Sequence, residues 1–186
     1  MEIKIEDIVR NAAPDLQVVT IEANVTNHPT TPKLKEELLA LGEEIKRRYA
    51  MPDINKRPAI AATRAAYKAL GKEPNRYRPS SEALCRRIVK GMELYFISDL
   101  VDLINVVSVA SGYSIGGFDA DKIAGDTLSL GAGREGEDFE AIGRGQLNIS
   151  CMPVYRDEVG GVGTPTSDNE RTKLSDDTRR LLMCIN

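Results

Sequence analysis

The stretch from Ser98 to Asp126, SDLVDLINVVSVASGYSIGGFDADKIAGD, constrains the fold of this chain more than any other. Leu100, Val101, Leu103, Ile104, Val106, Val107, Val109 and Ala110 make it too apolar to leave exposed, yet Asp99, Asp102, Asn105 and Ser108 recur through it at every third position. Valine and isoleucine would allow a strand. The length of the run and the spacing of its polar residues predict a helix instead, because polar residues at that step form one slowly turning stripe. A buried polar stripe must find hydrogen-bond partners, since each orphaned group costs roughly 1–3 kcal/mol. Asp102 and Asn105 can satisfy that by holding neighbouring loops through their backbone groups, or they can line a pocket. After Gly112 the sequence predicts a Gly-Gly-Phe-Asp turn, Gly116 to Asp119, closing on Gly125-Asp126. A buried polar element leading into a glycine-rich turn is where a binding pocket is expected.

The segments before it read mainly as helices. Residues 3–11 predict a short helix with Ile5, Ile8 and Val9 on one side, ended by Pro14-Asp15. Leu16 to Val25 is rich in β-branched residues and predicts the first strand. The loop that follows holds His28, the chain's one histidine, which excludes two-histidine metal sites. A Ser-His-Asp or Cys-His site would have to use it, but a lone histidine in such a loop reads more readily as a solvated side chain. Thr31 caps and Pro32 opens a helix whose apolar face is Leu34, Leu38, Leu41 and Ile45. Lys46-Arg47-Arg48 in its last turn suits the helix dipole, or an RNA phosphate. Arg57-Pro58 opens an alanine-rich helix that stops at Gly71, and Ser80 or Ser81 caps another from Glu82 to Lys90. Arg76, Arg78, Arg86, Arg87 and Lys90, with Tyr77 among them, are the densest basic cluster of the chain. Basic residues interleaved with an aromatic suit a phosphate backbone and a stacked base, and equally an ordinary solvated helix face.

Beyond Asp126 the segments are short and alternating, separated by glycine-rich turns at Gly131-Ala132-Gly133, Gly143-Arg144-Gly145 and Gly160-Gly161-Val162-Gly163, which predicts a β meander. Helices in the middle third and a β layer from the first strand and the last third make an α+β chain, and 186 residues suit a single domain. The glycines at Gly160 to Gly163 open no helix and lack the spacing of a nucleotide loop, and no cofactor is expected. Cys85, Cys151 and Cys184 are odd in number without CxxC spacing and read as reduced thiols of a cytoplasmic protein. A net charge of -3 exerts no global pull on nucleic acid, so RNA binding would need a local patch. No apolar run approaches the ~20 residues that span a membrane, and the N-terminus lacks the pattern of a signal peptide.

Three runs together resemble a known family. Tyr77-Arg78-Pro79-Ser80, the run from Leu100 to Asn105, and the run from Gly117 to Asp126 look like the B3/B4 domain of the β subunit of bacterial phenylalanyl-tRNA synthetase. Gly160-Gly161-Val162 and the run from Thr172 to Thr178 fit the same pattern. The resemblance covers roughly residues 77–185, which divides the chain into an N-terminal strand and helices over 1–76 and a B3/B4-like core over 77–186, one globular unit overall. It implies a β-sandwich of unusual topology with packed helices. In the synthetase this domain hydrolyses tyrosine mischarged onto phenylalanine tRNA, so the resemblance implies tRNA or aminoacyl-tRNA as partner, with hydrolysis in trans as the attendant activity. It gives a substrate pocket lined by Asn105, Gly116, Gly117, Asp119, Thr166, Ser167 and Glu170, and an RNA surface of Arg76, Arg78, Arg86, Arg87 and Lys90. One departure bears on the chemistry. Where the synthetase usually has Leu-His-Ala-Phe-Asp, this chain has Ile115-Gly116-Gly117-Phe118-Asp119, so Gly116 stands in place of the editing histidine. The other reading is a non-catalytic amino-acid or small-ligand binder that retains the pocket.

Overall fold

A computed structural model describes residues 1–186. In chain order the elements are β1 (Glu2–Ile5), α1 (Asp7–Ala12), β2 (Val19–Asn24), α2 (Pro32–Arg48), α3 (Pro58–Leu70), α4 (Ser80–Val89), α5 (Asp99–Ser111), β3 (Ile115–Asp119), β4 (Thr127–Ala132), β5 (Glu140–Ala141), β6 (Gly145–Gln146), β7 (Pro153–Arg156), β8 (Gly161–Gly163) and β9 (Arg180–Ile185). Strands β1, β4, β7 and β8 form one sheet in that order, and β9 lies between β2 and β3 in a second. Phe118 of β3 and Leu182 and Cys184 of β9 meet Leu128 and Leu130 of β4, Tyr155 of β7 and Val162 of β8 in one buried core. Two sheets that share such a core form a β-sandwich, and the helices packed around it complete an α+β fold. The helices have their own core of Ile45, Ile54, Ile60, Cys85, Ile88 and Val109. No helix is long and apolar enough to cross a membrane.

The helix expected over the Ser98 stretch is α5. Ser98 caps it, its Oγ accepting the Val101 N–H at 3.5 Å, and Gly112 ends it in the left-handed region at φ 87°. Its polar stripe ties down the loop before α2. Asp99 Oδ1 accepts the Thr31 N–H at 2.8 Å, and Asp102 Oδ2 accepts from Thr30 Oγ1 at 2.5 Å and from the Ile97 N–H at 3.0 Å. Asn27 Oδ1 accepts the Leu100 N–H at 3.2 Å, and the His28 carbonyl accepts the Asp99 N–H at 2.9 Å. The His28 loop is therefore a clasp on the start of α5, with the imidazole exposed.

Long-range pairing overrides the local reading at several places. Residues 3–11 are not one helix: Ile3 and Ile5 belong to β1, which runs parallel to β4, and only Asp7–Ala12 is helical. Gly116 to Asp119 is not a turn but lies in β3, because β9 offers it a complete antiparallel partner with Gly116 opposite Cys184 and Phe118 opposite Leu182. No serine side chain caps α4. Pro79 occupies the cap position, and Ser81 Oγ instead bonds Ser114 Oγ at 3.1 Å. The expected meander is partly irregular, with β5 and β6 only two residues each and Leu147 to Ile149 outside any strand.

Candidate functional site

Strand β3 is unusual in carrying two adjacent glycines between packed layers, and the close approach of its neighbours explains them. A Cβ at Gly117 would lie 2.6 Å from Ile104 Cδ1 of α5 and 3.3 Å from Leu174 Cδ1. On the other face, a Cβ at Gly116 would lie 2.7 Å from Phe118 Cζ. A Cβ at Gly163 of β8 would meet the same ring atom at 2.5 Å and Asp168 Oδ1 at 2.8 Å. The missing side chains leave room for the Phe118 ring and for the Asp168 carboxylate.

Asp168 forms an isolated antiparallel bridge with Gly163, which directs its side chain toward β3. Its Oδ2 accepts the Gly117 N–H at 3.3 Å. Its Oδ1 accepts no hydrogen bond from the protein and, unlike the unpartnered Asp102 Oδ1, is not fully sealed. It therefore keeps some contact with solvent. The residue is half-buried and no lysine or arginine reaches it. Burial, opposed only by the Gly117 N–H, pushes its carboxyl up to about 7. Across the site Cys184 is also pushed up, to about 12, by burial and then by the Asp168 charge, so its thiol is neutral and a poor nucleophile.

The other residues expected in the pocket have separate surroundings. Asn105 follows Ile104 on α5, half-buried, with no hydrogen-bond partner for its amide. Asp119 Oδ2 accepts from Thr178 Oγ1 at 2.9 Å and pairs with Lys122 at 3.2 Å, while Oδ1 accepts the Asp121 N–H. Thr166 is buried, its Oγ1 2.8 Å from the Tyr67 hydroxyl and 3.3 Å from the Tyr77 carbonyl. Ser167 Oγ donates to the Asp168 carbonyl at 3.4 Å. Glu170 pairs with Lys173 and accepts the Gly143 N–H at 3.1 Å. The ammonium, then the Gly143 N–H, hold its carboxyl below the usual carboxylate range. Gly116, Gly117, Gly163, Asp168 and Cys184 thus come together, whereas Glu170 faces the hairpin that carries Gly143.

Asp168 has no local sequence signal. Its neighbours lie on β3, β8 and β9, and only the assembled sandwich makes it a half-buried carboxylate without a counter-charge.

The basic residues are divided along α4, whose ten residues span about 15 Å. At one end Arg76 stands 5.4 Å from the Tyr77 ring, which Lys72 covers at 3.8 Å, and Arg78 is exposed without a partner. At the other end Arg87 lies 4.3 Å from the Tyr95 ring, with Lys90 exposed beside it. Arg86 is committed elsewhere. It donates to Glu82 Oε1 at 2.7 Å, and Arg64 donates to Oε2 of the same fully buried carboxylate at 2.8 Å.

The B3/4 domain family model matches residues 62–186, spanning most of α3, then α4, α5 and every strand from β3 onward. This chain belongs to the B3/4 domain family. Over 86 residues this B3/4 chain is 40% identical to the phenylalanine–tRNA ligase beta subunit of Bartonella quintana (strain Toulouse), covering 45% of the chain. It is 37% identical over 89 residues, 47% of the chain, to the same subunit of Bartonella henselae (strain ATCC 49882 / DSM 28221 / CCUG 30454 / Houston 1). The match spans only 11% of the length of each of these relatives. Among solved structures, an N-terminal fragment of the phenylalanyl-tRNA synthetase beta subunit from Pyrococcus horikoshii superposes with a TM-score of 0.43 at 12% identity, covering 99% of this chain and 42% of that one.

Proposed function

We propose that this B3/4 protein binds the aminoacylated end of a tRNA and hydrolyses mischarged aminoacyl esters in trans. The observation that carries the reading is the family match, because it takes in the glycine strand β3, Asp168 and α5 as one unit. The chemistry around Asp168 agrees with it. Hydrolysis of an ester needs a group that accepts a proton from water near neutral pH and backbone N–H groups near the carbonyl. The Asp168 carboxylate offers the first, with its Oδ2 anchored on the Gly117 N–H. Arg78 and Lys90, exposed and unpaired, and Arg76, exposed beside the Tyr77 ring, are the cations of the cluster free to meet phosphates. The test is a gel-shift titration with bulk tRNA across a salt series, paired with release of labelled tyrosine from mischarged phenylalanine tRNA. A shift that weakens steeply with salt, together with amino-acid release above buffer, is the expected result.

A second reading is a small amino-acid binder without tRNA. It is favoured by the division of the basic residues between two ends of α4, with Arg86 held by Glu82. Absence of any shift at low salt, with calorimetric binding of a free amino acid, would select it.

A further inference from the structure

A site that hydrolyses an ester needs a side chain that moves a proton. We infer that Asp168 is the proton-transfer group of the site, acting through its unbonded Oδ1. This rests on the hydrolytic reading above. As a water oxygen attacks the ester carbonyl carbon, Asp168 takes its proton. The tetrahedral intermediate then collapses, the bond to the ribose oxygen breaks, and the proton passes from Asp168 to that oxygen. The products are the free amino acid and a tRNA with its ribose hydroxyl restored.

Geometry selects Asp168 over every other candidate. Asp119 is engaged by Thr178, Lys122 and the Asp121 N–H, and Glu170 by Lys173 and Gly143. Asp157 is held in a two-point pair by Arg171, at 2.8 and 2.9 Å. The free oxygen of Asp102 is sealed from solvent beneath Thr30 and Ile97. His28 belongs to the clasp on the start of α5. Asp168 alone combines a fixed oxygen, anchored on the Gly117 N–H, with an unbonded one, seated where Gly163 has no side chain to displace it.

The surroundings suit the task. Cys184 of β9 is the titratable group that faces the carboxylate, and its thiol stays neutral at working pH. No charged side chain of β3 or β8 perturbs it. A carboxylate raised toward neutrality by its desolvated seat is a far better base than an exposed one, because its proton affinity approaches the operating pH.

The decisive experiment compares the wild type with Asp168→Asn and Asp168→Glu. Substrates are tRNAs charged singly with tyrosine, phenylalanine or alanine, and tyrosine ethyl ester as a substrate without RNA. The wild-type kcat/KM is expected to rise with pH through about 7. Asp168→Asn is expected to lose about 10²-fold or more and its pH dependence, while Asp168→Glu keeps part of the rate with a displaced inflection. Asparagine can still accept the Gly117 N–H, and circular dichroism melts of each variant verify the fold. The inference is overturned if Asp168→Asn keeps the wild-type rate and profile, or if the wild type cleaves none of the four esters. A tRNA gel shift without ester cleavage sinks this inference and spares tRNA binding. Ester cleavage lost in Asp168→Asn, with no tRNA shift, supports Asp168 and sinks the tRNA reading.

Discussion

Asp168 Oδ2 accepts the Gly117 N–H at 3.3 Å, and this is the one hydrogen bond its carboxylate receives from the protein. The carboxyl is raised from its ordinary 3.8 to about 7 in the folded chain. Between those values the folded state binds more protons than the unfolded one, so this group makes stability fall as pH rises through the window and leaves it flat above. The ionised carboxylate therefore costs roughly 2–4 kcal/mol of stability at about pH 8. Asp168→Asn is expected to be more stable than the wild type by part of that amount at about pH 8, with the gap closing toward about pH 5. Urea unfolding of both proteins across this range checks it. An equal midpoint at the alkaline end would mean that solvent relieves the burial of this carboxylate.

Gly116 cannot simply be replaced by a larger residue. A Cβ there would lie 2.7 Å from Phe118 Cζ and 3.0 Å from Cε2. That ring is fully buried and packs edge-on against Tyr155, with centroids 6.4 Å apart. Gly163 approaches it from the opposite sheet. Gly116→His is therefore expected to destabilise the chain by about 1–3 kcal/mol through overpacking, and Gly116→Ala by less with the same sign. Thermal melts measure both. A histidine variant as stable as the wild type would show that the Phe118 ring has room to swing aside.

How far this site could be read from the chain follows from where its contacts lie in sequence. Helix α5 was legible because its polar spacing and apolar length are local properties, and the clasp formed by Asp99 and Asp102 is the loop-holding role such a stripe can fill. The α+β class was legible from the alternation of helical and strand patterns. Strand β3 was not, because glycines at 116 and 117 favour a turn until β9, more than sixty residues later, supplies a partner. Asp168 was invisible for the same reason. The Ser167-Asp168-Asn169-Glu170 run draws attention to Glu170, while the sandwich turns Asp168 toward β3 and leaves Glu170 paired with Lys173. The basic cluster also looked continuous in sequence. Arg86 drops out of it only because Glu82, one helical turn earlier, is fully buried and needs it.

Glu82 itself is a sensitive point. It is completely buried between Arg64 and Arg86, with pair distances of 2.8 and 2.7 Å. Arg64 also donates to the Pro74 carbonyl and to Asn75 Oδ1, so the carboxylate fixes the turn between α3 and α4. Removing one partner of a buried ionic network leaves the others desolvated and uncompensated. Glu82→Ala is expected to cost about 3–5 kcal/mol, enough to unfold a marginal domain, and Glu82→Gln less. Chemical denaturation gives the value. A loss under about 1 kcal/mol would mean that water reaches the guanidinium groups once the carboxylate is gone.

The divided basic surface gives the last test. Arg78 and Lys90 lie toward opposite ends of α4, exposed and unpaired, so neither supports the fold. If both meet tRNA phosphates, each alanine variant should weaken binding by a similar factor for every tRNA, and should flatten the slope of log K against log salt by about one. Arg86→Ala should behave differently. It strips one partner from buried Glu82, so its melting temperature falls before any effect on binding can be read. Filter binding across a salt series, with melts run beside it, separates the two classes. A flatter slope for Arg78→Ala alone would place the RNA at the Tyr77 end of α4. Unchanged slopes for both would remove this helix from the RNA interface.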